Sequence, residues 1–194
     1  CQEIGIRLII GATVLSCMRL NLGIEPLLSQ VIRHYMRVYL RVRVGSRYSE
    51  RCRTQMGFIE HCMACGERTY GDTIRYDCSL CKGETNFAGP LWLGPIFSSD
   101  YLDKSLRILT NISGKYHKML STAKNEAMLP PTFYVTDSIA DGLEIQAPAP
   151  MEIISDLTTR GFTASRTSLN PKGLRSSAPF EVVRDVLSSL SKKQ

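Results

Sequence analysis

Four of the seven cysteines stand as two Cys-x-x-Cys pairs, Cys62-Met-Ala-Cys65 and Cys78-Ser-Leu-Cys81, with twelve residues between them. A Cys-x-x-Cys turn aims two sulfurs at one point, and two such turns on facing hairpins complete a tetrahedron suited to zinc. Gly66 follows the first pair directly, and Gly83 follows the second after Lys82. Glycine admits positive φ there, which lets backbone amides reach the thiolates. Two other readings remain open from spacing alone, a pair of disulfides and four unrelated buried thiols. No secretory signal is legible, which favours a reducing compartment over disulfides. Four protein ligands would close the metal site, so it would hold a fold together and not activate water. His61 adjoins Cys62 and reads as a neighbour, not a fifth ligand.

The cysteines must be positioned by strands. Residues 56–60 read as a strand entering the first knuckle, residues 70–73 as the tip between knuckles, and residues 74–76 as the approach to the second. Beyond Cys81, residues 86–95 are apolar but broken by glycine and proline, which predicts an extended passage placing Trp92 and Leu93 in a core.

With 194 residues, 43% hydrophobic and 22% charged, the composition is that of an ordinary globular chain of one or two domains. The chain opens on Cys1 within an apolar helical pattern, so a preceding segment is expected. The net charge of +6 is local: residues 1–60 carry nine Lys/Arg against four Asp/Glu, whereas residues 131–194 carry seven of each. Such an excess fits either a polyanion such as nucleic acid or plain solubility. The longest apolar run, residues 4–15, contains Arg7 and is too short to span a membrane.

Residues 3–21 repeat apolar positions at helical spacing, predicting a buried helix with Arg7 and Arg19 outside. Residues 35–44 alternate, with Tyr35, Arg37, Tyr39, Arg41 and Arg43 on one face and Met36, Val38, Leu40, Val42 and Val44 on the other. That pattern predicts a half-buried strand. Its polar face sets guanidinium groups among tyrosines, a combination that holds phosphates and stacks on bases, or else is a solvated face. The segment from Gly45 reads as a turn and a domain boundary, with Arg47, Arg51 and Arg53 extending the basic patch. Farther on, helices are expected over residues 100–111, capped by Ser99 or Asp100, and 115–127. A short strand follows at 133–135, helices from 136 and over 151–160, a strand at 162–167, a turn at 170–173, and a last helix from Pro179. The expected fold class is α+β, with helices on a small antiparallel sheet.

No dinucleotide-binding glycine motif, P-loop, zinc-protease His pair or nucleophile elbow is present, and His34, His61 and His117 are scattered.

Several stretches together resemble the tRNA (guanine-26) N2-dimethyltransferases. Glu3-Ile-Gly-Ile-Arg-Leu-Ile-Ile, Leu22-Gly-Ile-Glu-Pro-Leu-Leu-Ser and His34-Tyr-Met-Arg-Val-Tyr-Leu-Arg-Val are similar to the end of that family's methyltransferase domain. Gly89-Pro-Leu-Trp-Leu-Gly-Pro resembles its Gly-Pro-Leu/Met-Trp motif. Gly161-Phe-Thr-Ala-Ser-Arg-Thr and Pro171-Lys-Gly-Leu-Arg followed by Ala178-Pro-Phe resemble its C-terminal motif. Ser168 stands where the family usually has His, and Ser176-Ser177 where it has Thr-Asp or Thr-Asn.

The resemblance implies an enzyme that methylates the N2 amine of a tRNA guanine with S-adenosylmethionine, in the cytoplasm, or in the nucleus or mitochondrion of a eukaryote. It implies that residues 1–45 end a Rossmann-like methyltransferase domain and that residues 46–194 form a tRNA-binding domain holding the zinc. It also implies that the cofactor-binding and catalytic segments precede Cys1. On it, Arg37, Arg41, Arg43, Arg166, Lys172 and Arg175 approach tRNA phosphates. The competing readings are a non-enzymatic zinc-ribbon RNA-binding adaptor and a purely structural interaction domain. The sequence leaves the oligomeric state open.

Overall fold

The computed structural model describes residues 2–109 and 114–192. It divides into two compact units, Cys1–Lys104 and Ser105–Gln194. This division differs from the expected boundary after residue 45: the cysteine segment packs with the residues before it.

In the first unit, helix α1 (Gln2–Met18) lies against strands β1 (Leu22–Ile32) and β5 (Thr85–Trp92). Ile6, Ile10 and Val14 recur at one-turn spacing and are fully buried. Gly11 permits the close approach, since a Cβ there would sit 3.0 Å from the Leu91 Cα. The periodicity located this helix correctly but placed Arg7 on the wrong side. Arg7 is 2% exposed, pairs with Glu3 at 2.8 Å, and donates to the carbonyls of Trp92 and Gly94 at 2.9 Å each. Those acceptors lie 85 and 87 residues away in the chain, out of reach of a local pattern.

β1 pairs antiparallel with β2 (Tyr35–Val44) along its length, with an irregularity between Pro26 and Leu28. The expected apolar face of β2 is largely open: Val42 is 53% and Val44 82% exposed. The reason is topological, because β1 and β2 form a two-stranded sheet among the described residues. The stretch read as a turn after Gly45 is instead helix α2 (Ser46–Arg53), which follows Gly45 at φ 128°. Its anchor is Cys52, whose Sγ accepts from the Ile24 N–H and donates to the Ile24 carbonyl, both at 3.2 Å.

A three-stranded antiparallel sheet of order β4-β3-β5 follows, with β3 at Met56–Cys62 and β4 at Arg68–Gly71. Leu91 and Trp92 are buried and Leu93 is half-buried, as the apolar passage predicts. Helix α3 (Ser99–Ile108) carries the chain past the division between the units. Its cap is Ser98, whose Oγ accepts from the Tyr101 N–H at 3.4 Å, not Ser99 or Asp100. The expected end of this helix at Asn111 lies outside the described residues.

The second unit contains α4 (Lys115–Glu126), β6 (Tyr134–Val135), α5 (Thr136–Gly142), α6 (Pro150–Thr159), β7 (Ala164–Arg166), β8 (Gly173–Ser176) and α7 (Phe180–Ser191). The helices match the expected ones to within a residue or two. Pro150 opens α6, and the Glu152 carboxylate accepts from the Ala149 N–H at 3.2 Å, half of a capping box. The expected strand at 162–167 is shorter than read, and β8 was not expected. Yet β8 is the central strand of the β6-β8-β7 sheet. Leu174 on β8 sits in a core with Ile153, Leu157, Val183, Val186 and Leu187. Mixed helices and small antiparallel sheets place the chain in the α+β class. No helix among the described residues is long and apolar enough to cross a membrane.

Candidate metal centre and nucleic-acid interface

The two knuckles are built alike. Cys62 is the last residue of β3, and its N–H donates to the Glu67 carbonyl at 2.9 Å, five residues on. The Cys78 N–H donates in the same way to the Gly83 carbonyl at 2.8 Å. In each turn the residue after the second cysteine donates its N–H to the carbonyl of the first cysteine: Gly66 at 3.0 Å and Lys82 at 3.1 Å. Both of these residues are left-handed, Gly66 at φ 85° and Lys82 at φ 61°. The expectation that Gly83 supplies the positive φ is therefore corrected. Gly83 supplies space, since a Cβ there would lie 3.2 Å from the Cys81 sulfur, and its N–H donates to that sulfur at 3.4 Å. The Cys65 N–H donates to the Cys62 sulfur at 3.5 Å.

The second knuckle is held to the sheet by Glu60. Its buried carboxylate accepts from the Thr69 hydroxyl at 2.6 Å and from the Arg75 N–H. The Thr85 hydroxyl in turn donates to the Arg75 carbonyl. These bonds bring all four sulfurs within 4.8 Å of one another. Cys62 and Cys81 are 3.4 Å apart and Cys65 and Cys78 3.6 Å, far longer than a disulfide of about 2.05 Å. They are close to the roughly 3.8 Å separation of a tetrahedron with zinc–sulfur bonds of about 2.3 Å. The donor set fits zinc.

Glu67, which the sequence reading did not single out, accepts from the Cys78 thiol at 2.8 Å. Burial, reinforced by this carboxylate, pushes the Cys78 thiol up to about 12. Burial also raises Cys65. At Cys62 burial opposes ionisation, but the Cys65 N–H and the neighbouring thiol outweigh it and bring the group down to about 7. Burial, and after it the nearby Arg68 charge, lowers the His61 imidazole below its ordinary range.

The cations divide between the units. In the first, Arg37, Arg41 and Arg43 share one exposed face of β2. Arg41 and Arg43 both reach Glu25 on β1 at 3.3 Å. Arg37 lies 5.3 Å from the Tyr35 ring centroid and donates to the Tyr39 hydroxyl at 3.3 Å. Such exposed contacts are screened by water and salt and exchange readily for phosphate. In the second unit, Arg166 donates to the Pro171 carbonyl across the β7–β8 loop, and Lys172 pairs with Asp137. Arg175 is the correction. It is 2% exposed, donates to Glu126 at 3.1 Å and to the Pro130 carbonyl at 2.7 Å, and braces the core where a phosphate does not reach. Glu126 also accepts from the Ser168 N–H and hydroxyl at 2.7 and 2.6 Å.

Comparison with known proteins covers nearly the whole chain. The family model described as N2,N2-dimethylguanosine tRNA methyltransferase matches residues 1–188. The tRNA (guanine(26)-N(2))-dimethyltransferase of Methanothermobacter thermautotrophicus is 32% identical over 98% of this chain and 52% of its own length. That of Methanosarcina mazei is 34% identical over 98% of this chain and 51% of its own length. The structure of Trm1 from Pyrococcus horikoshii with S-adenosyl-L-methionine superposes with a TM-score of 0.81 at 27% identity, covering 96% of this chain and 50% of that one. The chain thus spans about half the length of the relatives it matches. It belongs to the N2,N2-dimethylguanosine tRNA methyltransferase family.

Proposed function

We propose that this chain is the tRNA-holding part of an enzyme that transfers methyl groups from S-adenosylmethionine to the N2 amine of guanine 26 in tRNA. The observation that carries this reading is the unbroken family match across residues 1–188, on both sides of the cysteine segment. A zinc-ribbon adaptor would have no reason to match before residue 46. The cofactor supplies the methyl group, and since the chain spans about half the length of the relatives it matches, none of its residues is assigned to hold that cofactor. Residues 1–45 are the closing helix and strands of the Rossmann-like domain. In support, α1 and β2 leave Leu8, Ile9, Leu15, Val42 and Val44 exposed, apolar positions that a larger sheet would cover. Residues 46–194 form the tRNA-binding part. The bonds from Arg7 to Trp92 and Gly94, and from Cys52 to Ile24, explain why its first portion is compact with the closing segment.

Cys62, Cys65, Cys78 and Cys81 hold one structural zinc, a staple that fixes the passage from Thr85 to Trp92. Arg37, Arg41, Arg43, Arg166 and Lys172 contact tRNA phosphates, working where tRNA is made and modified, in the cytoplasm or a eukaryotic nucleus or mitochondrion. Filter binding of labelled tRNA at increasing salt tests the binding role. Affinity is expected to fall log-linearly, with a slope of about −0.7 to −0.9 per phosphate neutralised. Binding no better than that of a neutral protein at low salt would overturn it.

A further inference from the structure

The first unit contains a cavity of about 530 Å³ between the start of β1, the end of β2, α2 and the passage after β5. Its size is that of a small-ligand site, about 300–1,000 Å³. The floor is apolar, made by Ile24, Trp92 and Phe97, each no more than 5% exposed. The rim is polar, with Arg43, Arg51, Tyr48, Gln55 and Glu25 among its groups. Two guanidinium groups against one carboxylate leave the rim positive.

We propose that this cavity binds one nucleotide of an RNA strand, its phosphate between Arg43 and Arg51 and its base beside the Tyr48 ring. The inference rests on the reading of the chain as an RNA-holding module and locates where that module grips a single nucleotide. Three features select this ligand class. The guanidinium groups have charge to give. Arg51 makes no ion pair among the described residues, and Arg43 shares Glu25 with Arg41. A phosphate can therefore draw Arg43 away while Glu25 keeps Arg41, and no charge is stranded. Bidentate contact with a phosphate is what guanidinium does best. Tyr48 is 46% exposed at the mouth, offering an aromatic face, and base stacking on such a face is worth about 1–3 kcal/mol. The half-buried Gln55 side chain has no hydrogen bond among the described residues, leaving one donor pair and one acceptor for a base edge. An aliphatic ligand would use the floor and waste the rim. A simple anion would use the arginines and leave the floor unfilled.

Trp92 is the sole tryptophan of the chain and lines the cavity, so its emission reports on occupancy. The 194-residue chain is titrated with GMP, AMP, guanosine and inorganic phosphate, and separately with tRNA. Saturable change with the nucleoside monophosphates is expected, with guanosine and phosphate each weaker by at least about tenfold. Arg51→Glu is expected to weaken the monophosphates by at least about tenfold, and Tyr48→Ala to weaken them while sparing inorganic phosphate. Thermal melts confirm that both variants are folded. The site is overturned if no monophosphate gives a saturable change, if phosphate binds as tightly as GMP, or if folded Arg51→Glu binds GMP as before. In those cases unaltered tRNA binding by Arg51→Glu would leave the RNA-holding reading standing. Loss of tRNA binding by the unaltered chain would remove that reading as well.

Discussion

Removing Glu126 should strongly destabilise the second unit, although this carboxylate lies in no proposed contact with tRNA. Its Oε2 accepts from Arg175 Nε at 3.1 Å, with both side chains at most 2% exposed. Its Oε1 accepts from the Ser168 N–H and hydroxyl. Glu126→Ala takes a buried carboxylate away from the buried Arg175 guanidinium, to which it is ion-paired. Breaking one side of such a pair costs about 3–5 kcal/mol. The whole stability of a domain is about 5–15 kcal/mol, so little margin remains. For a unit of this size each kcal/mol shifts the melting midpoint by about 4–8 °C, so a fall of at least about 12 °C is expected by calorimetry. Glu126→Leu with Arg175→Met should recover part of the loss, because an apolar pair leaves neither member of this ion pair buried without the other. A loss below about 1 kcal/mol for Glu126→Ala, or a double variant as unstable as the single one, would refute the reasoning.

Chelation of metal under reducing conditions should release about one zinc per chain and unfold the β3–β5 segment, as seen by loss of amide protection there. Protein purified with a reductant and found metal-free by elemental analysis would remove the staple. Arg7→Ala should destabilise the first unit by about 3–5 kcal/mol, since it removes the buried ion pair with Glu3 and the bonds to the carbonyls of Trp92 and Gly94; urea unfolding measures it. Arg37→Glu combined with Arg41→Glu should weaken tRNA binding and flatten the salt dependence by about two phosphate contacts, read by filter binding across salt. An unchanged slope would remove that strand face from the interface.

The parts of this molecule that a local pattern encodes were legible, and the parts set by distant partners were not. The stripe of Ile6, Ile10 and Val14 identifies α1, and the spacing of the four cysteines anticipates sulfurs gathered within 4.8 Å. Arg7 looks solvent-facing because arginine usually is, and its partners lie at the far end of the unit. Arg175 misled in the same way, since only the fold brings Glu126 beneath it. The strand carrying it, Gly173–Ser176, is short and lacks β-branched residues, so no propensity marked it. The helix Ser46–Arg53 has two apolar side chains, Tyr48 and Cys52, too few to display a period. The alternation in β2 predicted the strand correctly, but it could not tell which face is covered.

The most direct test of the account is a methyl-transfer assay. The full-length product of the gene that encodes these residues is incubated with tRNA and labelled S-adenosylmethionine. The account predicts label on the N2 amine of guanine 26, located by nuclease digestion and mass spectrometry, and none on tRNA with another base at that position. Folded protein that binds tRNA but transfers no methyl group to guanine N2 would contradict it.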